Sequence, residues 1–569
     1  MHGFAAFISF EKPCTEISFD WKPIFEFQHA YTKRQVNLDL IYLEQFTSEK
    51  YLNEKLWINT EDYFIVTEGI INNLNDLYKE QHVNNPSDLI SKIYEKPEFF
   101  STFTGHFSGI IFNKKTKSIC AFGNQSGTKK IFYYIDNELA IISSDLYTLS
   151  KSLNKLHLEK TLNIDAAYLL LTSGYMHENL TLINEVKQLR AGEYCILTNK
   201  QIQVKSYYNL DKIAETKDTK EAIINKLDFL FRKAIRLEFE IDKKHNYKHL
   251  TTLSGGLDSR MTALIAYKMG YKDQKLLNFS EKGYADEIIA KKIADDYKMQ
   301  LIQIELNAES MNAIDDVIAV NDGLTIYTGS SHVLSAIKKL KTNDLGVLHT
   351  GMIGDAVMGS FVTKKKSVRP NISSGLYSEG LKHRTEKFLN ATSNNYASEE
   401  LYKFYNRAFL GANNGFLFYD LIGESSSPFL HPEFMSYAYS IPRKYKYKER
   451  IYIDWIKKMH PDIANYTWEL IGGKPTNNEL LRKFYRFKRA IIKRLPIKTM
   501  WKNTMSPEQV WYDKNEDTRK ALDTFYSNNI DLLSDYKELK TDLIKLYSKG
   551  NITEKSQVLT LLSAYKLLF

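Results

Sequence analysis

The run Ser254-Gly255-Gly256-Leu257-Asp258-Ser259 constrains this chain more than any other stretch. It lies between KHLTTL, which reads as a strand, and RMTALIAYKMG, which reads as a helix. A glycine turn between strand and helix sets backbone N–H groups at the helix N-terminus, where the helix dipole favours negative charge. The two glycines let the backbone come close to a phosphate, and the two serines add hydroxyl donors. Asp258 cannot itself favour a phosphate. Its natural use in such a turn is to hold Mg²⁺ against a pyrophosphate group. The competing reading is a plain strand–helix turn with incidental serines.

The surrounding chain alternates strands and helices. The long amphipathic segment EAIINKLDFLFRKAIRLEF precedes the turn; strand KLLNFS, helix ADEIIAKKIADDYKM and strand LIQIEL follow it. That order predicts a parallel sheet with right-handed crossovers. From about residue 375 onward the pattern is mostly helical. The first two hundred residues read differently. Short apolar runs such as DYFIVTEGI, GHFSGIIFN, SICAFGN, KIFYYI and ELAIISS are separated by polar or glycine-containing turns, the spacing of a layered sheet domain. LNIDAAYLLLTSGY carries helical periodicity, strand-like GEYCILTN and QIQVKSYYNL follow, and DKIAETKDTKE reads as a linker or a helix start. Two domains are expected, 1–210 and 220–569, of α/β and α+β class. No internal repeat or low-complexity tract is present.

Composition narrows the setting. Cys14, Cys120 and Cys195 form no CxxC pair, which argues against structural zinc or a disulfide framework and for the cytosol. The N-terminus has no basic region followed by an apolar run, and no window holds the roughly 18 apolar residues of a membrane span. The net charge of +9 is local: nine Lys or Arg and no acid lie between Leu480 and Pro507. Segment 480–505 has two readings, a solvated helix packed on the second domain or peripheral contact with an anionic membrane surface or acidic partner. No nucleic-acid-binding motif is present.

The glycine turn is neither a Walker A loop nor GxGxxG. It resembles the PP-loop of enzymes that split ATP between its α and β phosphates, and the chain resembles the asparagine synthetase family. Further stretches carry that resemblance. NFSEKGYADEIIAKKIA is similar to the family segment in which an acidic pair opens a helix. VLHTGMIGDAVMGSF is similar to SGEGADELFGGY, with Thr350, Gly351, Asp355 and Gly359 in their places. SSPFLHPEFMSYAYSIPRKYKYKER is similar to PFLD…EF…A…LP…K, and GGKPT to an Arg-x-Lys loop. In the first domain, EGIINNLNDL and FTGHFSGIIFNKKTKSICAFGNQSGTKKIFYY are similar to the family's glutaminase.

The resemblance implies a layered sheet domain of the N-terminal-nucleophile glutaminase type, then a parallel-sheet PP-loop domain with a largely helical C-terminal part. It implies ATP and Mg²⁺ as cofactors. Leu253, Ser254, Gly255, Gly256, Leu257, Ser259, Phe279, Gly351 and Asp355 would contact nucleotide. Asp258 and Asp286 would be metal ligands and catalytic, and Lys474 would approach the phosphates as a catalytic cation. Asp286 has a helix-capping alternative. Lys474 has a solvated-surface alternative, with Lys446 or Lys448 in its role.

The departures from the family are as informative. His2 stands where the family has its nucleophilic cysteine, and imidazole cannot replace a thiolate there. Glu68 replaces the Asn of an NG pair whose Gly69 remains, and RDPxG reads Gly123-Asn124-Gln125-Ser126-Gly127. Met352 replaces a Glu, and His431 the Asp of FLD. The expectation is an ATP-dependent amide-forming ligase without glutaminase activity. It adenylates a small-molecule, glycan or peptide carboxylate and passes it to ammonia or an amine; a homodimer is also expected. The alternative is a non-catalytic nucleotide-binding scaffold of the same fold.

Overall fold

The computed structural model describes residues 2–14, 18–22, 30–96, 98–341, 343–371, 373, 375–477, 480–481, 484–485, 487–488 and 505–569. The strands of the first domain are β1 (Gly3–Ser9), β2 (Tyr31–Asn37), β3 (Ile41–Ser48), β4 (Trp57–Asn59), β5 (Tyr63–Ile71), β6 (Gly105–Asn113), β7 (Ser118–Gly123), β8 (Phe132–Ile135), β9 (Leu139–Ser143), β10 (Lys187–Gln188), β11 (Glu193–Thr198) and β12 (Gln201–Ser206). They form two antiparallel sheets in the orders β10-β8-β9-β1-β3-β2 and β12-β11-β7-β6-β5-β4.

Strand alternation decides the layers. Phe4, Ala6 and Ile8 of β1 meet Phe64, Val66 and Ile110 of the other sheet in a shared core. Ala5 and Phe7 point the opposite way, onto the helices Leu146–Lys155 and Ile164–Ser173. Ile65 and Ile111 likewise face Leu74–Gln81 and Pro86–Ile93. The result is two sheets between two helical layers.

The second domain carries an all-parallel sheet of β13 (Lys248–Thr252), β14 (Gln274–Glu281), β15 (Gln300–Leu306), β16 (Leu345–His349) and the short β17 (Ser425–Ser426), in the order β15-β14-β13-β16-β17. Helices cover both faces, so neighbouring residues of β14 enter different cores: Leu276 packs with the helices Asp258–Lys268 and Ala285–Tyr297, Leu277 with Ile314–Asn321 and Thr328–Ile337. The polar stretch after residue 210 opens with a 3-10 turn at Leu210–Lys212 and then runs without regular structure to Thr219, whose hydroxyl caps the helix Lys220–Lys244.

The domains are joined at several places. Tyr175 bridges to Thr325, and Ile326 N–H donates to Gly174 O at 2.8 Å. Lys22 lies between Asp145 (3.2 Å) and Asp322 (2.6 Å). The C-terminal helix Ile552–Leu568 packs on Ile164–Ser173 and on Ile314–Asn321. Among the described residues no helix is long and apolar enough to cross a membrane. Most of segment 480–505, and the membrane contact expected of it, lies outside the described residues.

Candidate active site

A cavity of about 300 Å³ opens at the C-terminal ends of β13 and β14. This is where open parallel sheets bind ligands. Leu253, Ser254, Gly256, Ser259, Phe279 and Gly351 line it together with Asp258 and Asp286. Of the remaining expected nucleotide contacts, Gly255 and Leu257 belong to the same turn but face the protein. Leu257 is buried in the core, and Gly255 has Asp286 Oδ1 and Glu469 Cβ against its Cα. Asp355 is exposed outside the cavity wall.

The turn is held by its own side chains and by distant ones. Ser254 Oγ and Ser259 Oγ lie 2.8 Å apart, and Ser259 Oγ accepts from Ser254 N–H at 2.9 Å. Asp286, in the first turn of its helix, accepts from Gly255 N–H (2.6 Å) and from Asn278 Nδ2 (3.0 Å). Arg260 is fully buried and donates to Gly255 O (3.0 Å) and Thr467 O (2.7 Å). Glu469 N–H also reaches Gly255 O (3.0 Å), so segment 466–469 is sewn to the turn. Asp258 accepts from the Tyr452 hydroxyl (2.8 Å) and from Asp355 N–H (2.9 Å). Gly351 is packed so closely that an added Cβ would fall 2.3 Å from Ser259 N.

Burial, with the charge of Asp355 added, pushes the Asp258 carboxyl well above the usual carboxylate range. Burial also pushes Asp286 up to about 6, the nearby Glu469 charge adding to it and the bonds from Gly255 and Asn278 opposing it. No Lys or Arg is among the described residues on the cavity wall. Two carboxylates, Asp286 buried and Asp258 half-buried, without a described cationic side chain beside them on that wall, form a donor set that fits Mg²⁺, which prefers one or two carboxylates plus phosphate oxygens and water. The glycine turn beside them fits the phosphates themselves.

The lysines stand elsewhere. Lys474 is exposed and donates to Asn465 Oδ1 at 2.8 Å, away from the cavity wall. Lys446 is buried in an ion pair with Glu400 at 2.7 Å, and Lys448 is exposed. Met352 lines the cavity, whereas His431 does not. His431 is buried, neither ring nitrogen has a partner among the described residues, and burial pushes it down to about 4. Sequence reasoning missed Tyr452, Asn278, Arg260, His332 and Tyr419. Arg260 directly follows the motif and was legible there. Tyr452 has no local signal at all.

At the other candidate site, the buried imidazole of His2 is kept well below its usual range, by burial first and then by Lys129 and Lys55. Its Nε2 lies 3.9 Å from Glu68. Glu68 accepts from Lys55 (2.7 Å), Gln45 (2.9 Å) and Thr47 (3.0 Å). Lys55 continues to Glu424 (2.9 Å), and Lys129 joins Asp420 (2.8 Å) to Glu424 (2.9 Å). A buried ion-pair chain thus runs from the first domain into the second. Gly69 is required beside it: its φ is +87°, and a Cβ would fall 2.0 Å from His106 O. Burial raises all three cysteine thiols, Cys195 to about 12.

Comparison with known proteins agrees with this layout. A glutamine amidotransferase domain model matches residues 50–208, and an asparagine synthase model matches residues 244–409. A Methanocaldococcus jannaschii protein named "Putative asparagine synthetase (glutamine-hydrolyzing) 2" is 25% identical over 368 residues, 61% of this chain and 69% of that one. Among solved structures, a glutamine phosphoribosylpyrophosphate amidotransferase from B. subtilis aligns with 56% of this chain and 68% of its own, at 8% identity and a TM-score of 0.21, a likeness too slight to bear on fold or function. An amidotransferase domain match followed by an asparagine synthase match that spans the SGGLDS turn is the domain order of the asparagine synthetase family, which this chain resembles in both halves.

Proposed function

We propose that this protein is an ATP-dependent, amide-forming carbon–nitrogen ligase that works without glutaminase activity. One observation carries the reading: Asp258, half-buried, and Asp286, buried, share one cavity with the glycine turn. In this reading Mg²⁺ is held by these two carboxylates and supplies charge neutralisation on the phosphates of ATP. Gly256 and the Ser254 and Ser259 hydroxyls bind the leaving pyrophosphate, and Phe279 and Leu253 flank the nucleotide. A substrate carboxylate oxygen attacks the α-phosphorus and the bond to pyrophosphate breaks. Ammonia or an amine then displaces AMP from the acyl carbon and loses a proton. Lys474 enters on the loop that Glu469 ties to Gly255, exchanging Asn465 for the phosphates, where a cation stabilises developing charge.

The absence of glutaminase activity rests on chemistry at His2. A neutral imidazole over a buried ion-pair chain is no thiolate, and the raised cysteine thiols offer none either.

The test is AMP and pyrophosphate release from Mg-ATP by the full chain, offered aspartate with ammonium, uronic acids and cell-extract metabolites. Release that depends on added acid and disappears in Asp258→Asn is expected. ATP binding without release under any condition moves the assignment to a nucleotide-binding scaffold.

A further inference from the structure

A second cavity, of about 290 Å³, adjoins the first: His332, Met352 and Tyr419 line both. Its wall is shared between the domains. Gly174 and Tyr175 follow the helix Ile164–Ser173 of the first domain, and the remainder comes from Thr325–Val333, Met352, Tyr377 and Gly411–Tyr419 of the second. The seam is fixed, because Tyr175 bridges to Thr325 and Gly174 O accepts from Ile326 N–H.

Three features make this a built pocket. Among the described residues its lining contains no Lys, Arg, Asp or Glu. Among the described lining residues the one ionisable side chain besides tyrosine is that of His332, whose imidazole burial pushes down to about 4 and so keeps neutral. Its aromatic walls are set: Tyr175 stacks on His177 at 4.9 Å and meets Tyr377 edge-on at 6.1 Å, with its hydroxyl on Gly375 O. Small residues keep it open. A Cβ on Gly329 would meet only Ile326 at 3.6 Å, while Gly415 leaves just enough room for the Met352 methyl, 2.8 Å from where a Cβ would stand. One end of the wall is Gly411, the last residue of a π-helical stretch, Lys403–Gly411. Such stretches are rare and mark functional positions.

We propose that this second cavity holds the body of the acid that is activated, and that this body is uncharged, aryl or alkyl, with its carboxylate at the His332–Met352 mouth facing the phosphate turn. The inference rests on the ligase reading above. An amino-dicarboxylate such as aspartate would bring an ammonium and a second carboxylate into a space with no counter-charge, and buried unpaired charge is strongly disfavoured. A phenyl or short alkyl chain would instead exchange water for Tyr175, Tyr377 and Met352. The volume suits a ligand near the small end of the ~300–1,000 Å³ range of such sites. The first domain keeps a use that needs no nucleophile: it supplies Gly174 and Tyr175 to the pocket.

The experiment is acid-dependent ATP–pyrophosphate exchange by the full chain with Mg-ATP. The panel is aspartate, glutamate, glucuronate, 3-phenylpropionate and hexanoate, compared in wild type, Asp258→Asn and Gly329→Phe. The expected result is at least 100-fold faster exchange with 3-phenylpropionate or hexanoate than with aspartate. Gly329→Phe should lower that exchange at least 20-fold while ATP binding, read by calorimetry, is retained. Exchange led by aspartate, glutamate or glucuronate overturns this inference and leaves the ligase reading standing. Equal exchange in Gly329→Phe and wild type overturns the pocket assignment. No exchange with any acid by an ATP-binding protein overturns the ligase reading, and this inference with it.

Discussion

The Tyr452 hydroxyl donates a 2.8 Å hydrogen bond to Asp258 Oδ1, joining residues 194 positions apart. Tyr452 is itself fully buried, in the helix Arg450–Met459. It fixes one oxygen of the carboxylate proposed to hold the metal, as outer hydrogen bonds commonly orient metal ligands. Tyr452→Phe removes one hydrogen bond to a charged group, worth about 1.5–3 kcal/mol. Mg-ATP affinity should fall roughly 10- to 100-fold by calorimetry with the melting temperature little changed. Unaltered affinity would show that Asp258 needs no such partner.

Gly351 lets the strand-end loop after β16 lie against the start of the helix Asp258–Lys268. A Cβ there would fall 2.3 Å from Ser259 N and 2.4 Å from Asp258 C, and backbone cannot yield as a flexible side chain does. Gly351→Ala should cost about 1–3 kcal/mol of stability, the usual range for overpacking. Urea unfolding measures this, and Mg-ATP binding should weaken in parallel. A variant as stable as wild type would show that the loop shifts freely.

Lys129 is the cation between Asp420 and Glu424, and all three side chains are under 10% exposed. Lys129→Met leaves two buried carboxylates with less compensation, and breaking a buried pair typically costs about 3–5 kcal/mol. Denaturant unfolding should show that loss. A loss below about 1 kcal/mol would mean that Lys55, 2.9 Å from Glu424, suffices by itself.

Lys130 presents the opposite case. It is buried with no acidic partner among the described residues, donates to Gly127 O (3.1 Å) and Phe409 O (3.3 Å), and burial pushes it down to about 7. An unfolded lysine titrates near ~10.4. Between those values the unfolded state binds more protons, so stability rises with pH from about 7 toward 10. Lys130→Met should lose that contribution, flattening the curve by up to ~1.4 kcal/mol per pH unit relative to wild type. Parallel pH profiles for the two proteins would mean that Lys130 stays charged when folded.

His2→Cys reinstates the residue type of the glutaminase nucleophile. Glutamate release from glutamine should nevertheless stay at background, because Lys55, Glu68 and Glu424 fill the neighbouring space with an ion-pair chain. Release well above background would show that His2 alone blocks the chemistry.

Much of the fold was legible locally. GHFSGIIFN matches β6 residue for residue, and ADEIIAKKIADDYKM predicts the helix Ala285–Tyr297 to within two residues. Period and turn chemistry reside in neighbouring residues, so a linear reading recovers them. The SGGLDS run likewise carries its own warrant, since a glycine turn between strand and helix is a local arrangement. Lys474 shows the limit. Its motif was readable, yet its side chain is turned to Asn465, because a long exposed lysine takes whatever partner the loop's packing presents.

The sequence by itself determined two domains, a parallel sheet after residue 220, a glycine turn between strand and helix at 254–259 and a histidine instead of a cysteine at position 2. Only the tertiary structure decided that Tyr452 and Asn278 complete the two aspartates, that Lys129 reaches across domains to Asp420 and Glu424, and that Gly174 and Tyr175 wall a pocket beside the turn. The physical reason is the same each time. A buried polar group must find a partner, and a cavity its walls, among elements that packing brings together from far along the chain, and no local pattern records which elements those are.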